Sequence, residues 1–119
     1  MRSSAASDVY KRQTLHSAQK QNGETIMREK AIERKLTLMV KKRGGICPKF
    51  VSPGYDGMPD RIILLPGCHF AFVEVKAPVK KPRPLQIARH KVLMKLGFRV
   101  YVIDSAEQIG AILDEIQSP

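Results

Sequence analysis

The chain has 119 residues, 43% of them hydrophobic, so it fits one compact domain with a core of modest size. Its 21 Lys and Arg residues against 11 Asp and Glu give a net charge of +10, which favours a polyanionic partner and makes nucleic acid the leading candidate. Two cysteines exclude a disulfide framework and favour a reduced, cytoplasmic setting, and no run of residues resembles a membrane span.

Residues 1–26 lack apolar periodicity and are rich in Ser, Gln and Lys. The string SSAASDVYKRQ within them resembles the in-frame translation of a sequencing adapter. We therefore interpret residues 1–26 as a non-native or disordered extension and residues 27–119 as the functional domain; the alternative is a basic arm that contacts DNA. Residues 27–119 keep 17 of the 21 Lys and Arg and 9 of the 11 Asp and Glu, so their charge of +8 still favours nucleic acid.

The first part of this domain predicts a helix followed by strands. Apolar residues recur at helical spacing over residues 28–43, and the glycine pair that follows ends the helix. The short apolar run 46–51 predicts a strand, and the loop sequence SPGYDGMP follows it. Residues 61–65 and 69–75 are rich in β-branched and aromatic side chains and predict a hairpin that turns at a Pro-Gly pair.

The second part predicts two helices around one more strand. Three prolines make residues 78–84 an exposed loop. Residues 85–96 predict a second helix because their apolar side chains recur near helical spacing. This apolar face consists of Leu85, Ala88, Val92, Leu93 and Leu96. Residues 98–103 predict a strand, and Ser105 with Gln108 forms a capping box before a third amphipathic helix.

The order of these elements is αβββαβα. The helix over residues 85–96 connects the third and fourth strands, so the last strand should run parallel to its neighbour. We therefore predict an α/β fold with a mixed sheet flanked by helices.

Two acidic residues and a lysine stand at the ends of neighbouring predicted strands. The sequence GMPD delivers Asp60 to the start of one strand, and FVEVK places Glu74 and Lys76 on one face near the end of the next. Two carboxylates so placed suit Mg²⁺, and a lysine beside them suits a water molecule that attacks a phosphate. Each residue alone is more often a turn cap or a solvated ion pair, but the combination favours phosphodiester hydrolysis.

Four segments carry a resemblance to a known family: KRGG at residues 42–45, KFVSPGYDGMPDRIILLPG at residues 49–67, FVEVKAP at residues 72–78, and Gln86 at the start of the following helix. In this order they resemble the PD-(D/E)xK nuclease superfamily, and within it the small stand-alone VRR-NUC (virus-type replication-repair nuclease) domains common in phages. The resemblance covers residues 27–103. It implies a restriction-endonuclease-like core and a phage or bacterial origin, with a place in the host cytoplasm.

The resemblance also implies roles for individual residues. Asp60, Glu74 and the carbonyl of Val75 are expected to bind Mg²⁺ or Mn²⁺. Lys76 is expected to position the attacking water, and Gln86 to support the site from the second helix.

A glutamate of the first helix commonly completes such sites, and two glutamates border the apolar face of this helix. We select Glu33, because its distance from the helix stop at Gly44 resembles that in the related archaeal junction resolvases. Glu29 stays open as the alternative. His90, on the second helix, is more often a surface residue than a general base.

Basic residues after the FVEVK strand and at the end of the first helix are candidates for phosphate contacts, which bring affinity without sequence choice. They are Lys41, Lys42, Lys80, Lys81, Arg83 and Arg89. The junction-resolving relatives imply a Mg-dependent deoxyribonuclease that cuts branched DNA such as Holliday junctions or flaps, and a homodimer, because symmetrical cleavage needs two sites. The alternative is a non-catalytic DNA-binding module that keeps the nuclease fold.

Overall fold

A computed structural model of the chain describes residues 5–119, with side chains from residue 23 onward. Its helices are α1 (Ala5–Lys42), α2 (Pro84–Lys95) and α3 (Ile109–Gln117), and the one-turn 3₁₀ helix Ala106–Gln108 precedes α3. Its strands are β1 (Arg61–Leu65), β2 (His69–Val75) and β3 (Val100–Ile103). Among the described residues, none of the helices combines the length and apolar character that a membrane crossing requires.

The three strands form one mixed sheet with β2 at its centre. β1 and β2 are antiparallel, with Arg61 opposite Val73, and β3 runs parallel to β2, with Ile103 beside Val75. The predicted hairpin and the predicted parallel last strand are thereby confirmed, as is an α/β fold with a mixed sheet flanked by helices. β2 is buried on both faces from Ala71 to its end.

The predicted strand over residues 46–51 was wrong. In the described part of the chain this segment makes only isolated bridges, from Ile46 to Leu64 and from Lys49 to Arg61. Pro48 lies between the two bridges and has no N–H to donate to a ladder. The sheet therefore has three strands, and residues 46–50 run along its β1 edge as an irregular segment.

One face of the sheet carries the hydrophobic core. Ile63, Val73 and Ile103 expose no surface there, and they pack with side chains of α1 and α3. The helices contribute apolar residues about one turn apart, each of which stabilises the fold by roughly 1.5–3 kcal/mol on burial. They are Ile32, Leu36 and Val40 from α1, and Ile109, Leu113 and Ile116 from α3.

Helix α1 ends as predicted but begins earlier. It stops at Lys42, where Gly44 adopts a φ of 84° and the Gly45 amide donates to the Val40 carbonyl. Ala, Gln and Lys favour a helix without apolar periodicity, which accounts for the start at Ala5. The interpretation of residues 1–26 as a non-native or disordered extension stays a prediction, because the first four residues and the side chains through residue 22 lie outside the described residues.

Helix α2 has the predicted extent within one residue, but its apolar face does not face the sheet. Its buried side chains are Gln86, His90 and Leu93. Leu85 and Val92, by contrast, are each 42% exposed. The buried residues also follow helical spacing, so α2 is turned with a largely polar face inward. The reason is Glu74 of β2, which lies beneath α2 and is buried, because a buried carboxyl group requires polar partners.

Candidate active site

The hairpin brings the two predicted carboxylates together. The pairing of Arg61 with Val73 means that Asp60, just before β1, lies opposite Glu74. Asp60 Oδ1 accepts a hydrogen bond from the Val75 amide at 3.3 Å. The backbone of β2 thus holds the carboxylate that the GMPD loop delivers.

Glu74 points away from the core toward α2 and is only 3% exposed. Gln86 Nε2 donates to Glu74 Oε2 at 3.1 Å, and Lys76 Nζ lies 3.8 Å from the same oxygen. His90 Nε2 lies 3.8 Å from Glu74 Oε1. The structure therefore places Lys76 and Gln86 beside Glu74, and adds a histidine whose sequence context predicts a surface position.

Gln86 is itself fixed by the start of α2. Its Oε1 accepts a hydrogen bond from the Arg83 amide at 2.8 Å, which leaves its Nε2 free to donate to Glu74. A side chain that satisfies a helix-terminal amide cannot rotate without losing that bond. The orientation of Glu74 is thereby tied to the N-terminus of α2.

The surroundings of both carboxyl groups disfavour their charged form. Burial and, to a smaller extent, the nearby Asp60 charge together raise the pKa of Glu74 to about 7. Burial and, to a smaller extent, the charge of Glu33 likewise raise the pKa of Asp60 to about 6. Two desolvated carboxylates repel each other when both are charged, and a bound cation would relieve this repulsion.

The two glutamates of α1 contact different parts of the site. Glu33 Oε1 accepts a hydrogen bond from Arg61 Nε at 3.0 Å, so its carboxylate is engaged in an ion pair. Glu29 Oε1 accepts a hydrogen bond from the Ala77 amide at 3.3 Å, next to Lys76. The selection of Glu33 stays a prediction, with Glu29 as its alternative.

The donor set fits Mg²⁺ or Mn²⁺. Among residues 23–119 no three His, Cys, Asp or Glu side chains form a cluster able to hold a metal ion. Mg²⁺ does not need one, because it retains several waters and binds through one or two carboxylates. Asp60 and Glu74 provide hard oxygen ligands from neighbouring strands, and the carbonyl of Val75 is adjacent.

A cleft of about 490 Å³ opens in front of the carboxylates. Residues 50–58 form one wall, and Asp60, Glu74, Arg83 and Gln86 form the other. The wall of residues 50–58 is joined to α2 by Arg89, which lies 3.9 Å from the Tyr55 ring centroid and donates to the Asp56 carbonyl at 2.7 Å.

The predicted phosphate-binding residues differ in their positions and contacts. Arg83 lines the cleft, while Arg89 is engaged with the loop wall. The four lysines are exposed, Lys80 and Lys81 in the loop before α2 and Lys41 and Lys42 in the last turn of α1. Their role in binding DNA stays a prediction.

Sequence reasoning missed the buried position of His90. The available signal was its spacing of four residues from Gln86, which puts both side chains on one face of a helix. The apolar residues of α2 gave a competing pattern, and that pattern predicted the wrong face.

Comparison with known proteins supports the motif-based resemblance. No family model matches the chain. A solved structure described as a VRR_NUC domain superposes with a TM-score of 0.69 at 30% identity, covering 73% of this chain and 95% of that one. The chain is also 46% identical over 91 residues to "Putative nuclease p44" of Acyrthosiphon pisum secondary endosymbiont phage 1, a match that covers 76% of this chain and 97% of the phage protein. The chain therefore belongs to the VRR-NUC family of nucleases, with a PD-(D/E)xK fold.

Proposed function

We propose that this protein is a metal-dependent, structure-selective DNA endonuclease that hydrolyses phosphodiester bonds in branched DNA such as Holliday junctions or flaps. The observation that carries the proposal is the meeting of Asp60 and Glu74 at one cleft, with Lys76 close to Glu74 and Gln86 bonded to it. The similarity to a phage protein named as a nuclease supports the reaction class.

Asp60, Glu74 and the Val75 carbonyl would hold Mg²⁺ or Mn²⁺. When bound, such a metal neutralises phosphate charge and increases the acidity of a water molecule. Lys76 lies on the same strand face as Glu74, with its ammonium 3.8 Å from the Glu74 carboxylate. It orients the attacking water and stabilises the negative charge that develops on the phosphate.

The other residues of the site act by positioning. Gln86 keeps Glu74 Oε2 in place through its hydrogen bond, and the Val75 amide does the same for Asp60. A glutamate of α1, Glu33 or Glu29, completes the acidic set. Fixing these groups in advance lowers the cost of reaching the reactive arrangement.

DNA would be held by basic residues around the cleft. Arg83 lines the cleft, and Lys80 and Lys81 precede it in an exposed loop. Contacts of this kind recognise phosphates and not bases, which agrees with selection by DNA shape. Symmetrical cutting of a four-way junction requires two active sites, so we propose a homodimer.

The test is cleavage of end-labelled four-way, flap and linear DNA in Mg²⁺, Mn²⁺ or EDTA. We expect the branched substrates to be cut at least tenfold faster than linear duplex, no cutting in EDTA, and a dimer by sedimentation. Equal rates on all substrates would contradict structure selectivity. Binding without cutting by the wild-type protein would favour the non-catalytic DNA-binding module.

Variants assign the activity to the site. Asp60→Asn and Lys76→Met should each reduce the cleavage rate by at least about 10²-fold, because the first removes a negative charge that would hold the metal and the second removes the ammonium that would stabilise the phosphate. Lys95→Met is the matched control, since Lys95 is an exposed lysine at the end of α2. It should retain the wild-type rate. Unchanged cleavage by the Asp60 and Lys76 variants would contradict the proposed active site.

A further inference from the structure

A second concave surface, which we call the α1 groove, lies between α1 and the β1 edge of the sheet. It has a volume of about 500 Å³. Lys30, Glu33, Arg34, Thr37, Leu38 and Lys41 line it from α1, and Lys49 and Arg61 line it from the sheet edge. The motifs that define the active site assign no role to Lys30, Arg34 or Lys49.

The α1 groove is strongly basic. Glu33 is its one carboxylate and forms an ion pair with Arg61, so these two charges cancel in the net charge of the groove. The four other cations are Lys30, Arg34, Lys41 and Lys49. Within residues 23–119 none of these four forms an ion pair with a carboxylate. The groove thus presents four positive charges that its own surroundings do not neutralise, which favours a polyanion.

The spacing of these cations matches a nucleic-acid backbone. Lys30, Arg34 and Lys41 lie on one face of α1 over twelve residues, a length of about 16 Å. This length corresponds to about five base-pair steps of a duplex at roughly 3.4 Å each. Lys49 stands across the groove from them, so phosphates in the groove would meet cations on both sides.

The α1 groove adjoins the active-site cleft. Lys49 lines the groove and the next residue, Phe50, lines the cleft; in the same way Arg61 lines the groove and Asp60 lines the cleft. The two concave surfaces therefore meet along the β1 edge. A strand that runs from Asp60 along this edge would reach the groove.

We propose that the α1 groove binds the sugar-phosphate backbone of a duplex arm on one side of the scissile bond. This inference rests on the proposed function, since it requires DNA at Asp60. The four cations of the groove other than Arg61 differ in role from the residues of the cleft, because they supply affinity for one arm of the substrate and take no part in the chemical step.

The test compares two triple variants that remove equal charge from exposed positions. The groove variant is Lys30→Gln/Arg34→Gln/Lys49→Gln, and the control is Lys35→Gln/Lys91→Gln/Lys95→Gln. Lys35 lies on α1 but near Glu107, away from the groove, and the other two lysines lie on α2. Thermal melting verifies that both variants are folded.

The first measurement is the dissociation constant for branched DNA in Ca²⁺ at several salt concentrations. The groove variant should lower the slope of log Kd against log[salt] by about 2 to 3, because each phosphate contact contributes about 0.9. The control should lower it by less than about 1. Equal slopes in the two variants would overturn the proposal, because net charge alone would then account for the binding.

The second measurement shortens the DNA arms on either side of the mapped cut, in Mg²⁺. With wild-type protein, kcat/KM should fall about tenfold when one particular arm is cut to fewer than about five base pairs. The groove variant should be insensitive to that arm, with kcat unchanged at saturating DNA. Identical arm dependence in both proteins would overturn the groove proposal while leaving the nuclease proposal intact, whereas absence of any cleavage by wild type would count against the nuclease proposal itself.

Discussion

Two oxygens of one carboxylate face two residues of α2. Gln86 bonds to Glu74 Oε2, while Glu74 Oε1 and His90 Nε2 are both buried and have no hydrogen-bond partner among the described residues. Leaving two such atoms unpaired costs roughly 1–3 kcal/mol each. A shift of about 0.8 Å would turn their 3.8 Å separation into a normal hydrogen bond. Burial lowers the pKa of His90, and so does the charge of Lys76, which favours a neutral ring that donates one N–H.

His90 is therefore expected to act as a positioning residue for Glu74. His90→Leu should weaken Mn²⁺ binding to the DNA-free protein by about 3- to 10-fold, because a lost buried hydrogen bond is worth about 1 kcal/mol. His90→Asn keeps a donor and should restore binding to within twofold. Calorimetric titration measures the affinity and melting monitors the fold. If the Asn and Leu variants lose Mn²⁺ affinity equally at equal stability, His90 only fills space.

The two glutamates of α1 can be separated by matched substitutions. We expect Glu33→Gln to reduce cleavage by at least about tenfold and Glu29→Gln to reduce it less, because the charge of Glu33 acts on Asp60. Cleavage rates at saturating Mg²⁺ and Mn²⁺ provide the comparison. The reverse order would identify Glu29 as the residue that completes the site.

Sequence reasoning found the residues whose placement follows from strand geometry. Alternation along β2 puts Glu74 and Lys76 on one face, and the hairpin brings Asp60 opposite Glu74. It did not find His90, since burial of a histidine depends on which face a helix turns inward. Nor could it determine that Glu33 pairs with Arg61 while Glu29 reaches the Ala77 amide, since these contacts depend on the tertiary position of α1.

At the scale of elements, the loop of residues 50–58 is fitted closely onto α2. Gly57 has a φ of 91°, and a Cβ atom there would lie 2.8 Å from Leu85 Cγ and 3.0 Å from the Leu85 carbonyl oxygen. Arg89 holds the same loop through Tyr55 and the Asp56 carbonyl. The wall of the cleft thus depends on a position that only glycine fills without strain.

Gly57→Ala is expected to destabilise the protein by about 2–4 kcal/mol, since it combines a strained φ with a steric clash. Gly54→Ala is the matched control. Gly54 has a φ of 81° but nothing within 4 Å of its added Cβ, so its cost should be about 1 kcal/mol. Urea denaturation measures both. If the two substitutions lower the free energy of unfolding equally, the loop can shift to accommodate the Cβ atom at position 57 without loss of stability.

Prediction of the elements succeeded where local signals agreed with tertiary packing. The apolar faces of α1 and α3 and the β1–β2 hairpin are examples, because each buries its apolar residues in one core. It failed for residues 46–51, where an apolar run contains a proline that breaks the ladder. It also failed for the face of α2, because the buried carboxyl group of Glu74 requires polar partners and this need outweighed the apolar pattern.

At the scale of the whole molecule, the buried carboxyl groups of Asp60 and Glu74 should make the free energy of unfolding depend on pH when no metal is bound. The folded-state pKa of Glu74, about 7, lies above its ordinary value of 4.5. Its protonation therefore contributes stability that is fully present below pH 4.5 and is lost as pH rises through 7. Asp60 has the same sign, with loss as pH rises through about 6.

Glu74→Gln isolates this effect. In EDTA, we expect the variant to be more stable than wild type by about 2 kcal/mol at pH 8, and the difference to vanish near pH 4.5. The free energy of unfolding from urea titration at both pH values provides the measurement. A difference that does not change with pH would show that Glu74 titrates as an exposed residue does.

Because α2 turns a polar face toward the sheet, substitutions that inactivate the enzyme differ in how far they disturb this helix. Through Gln86, Glu74 helps to fasten α2 to the sheet, so truncation of Glu74 to Ala would remove catalysis together with a contact of the helix that forms one side of the cleft. Lys76 follows β2, and its closest charged partner in the described chain is Glu74 itself. A Lys76→Met protein is accordingly the better choice for trapping uncut DNA in crystals, because the framework that receives the DNA remains assembled.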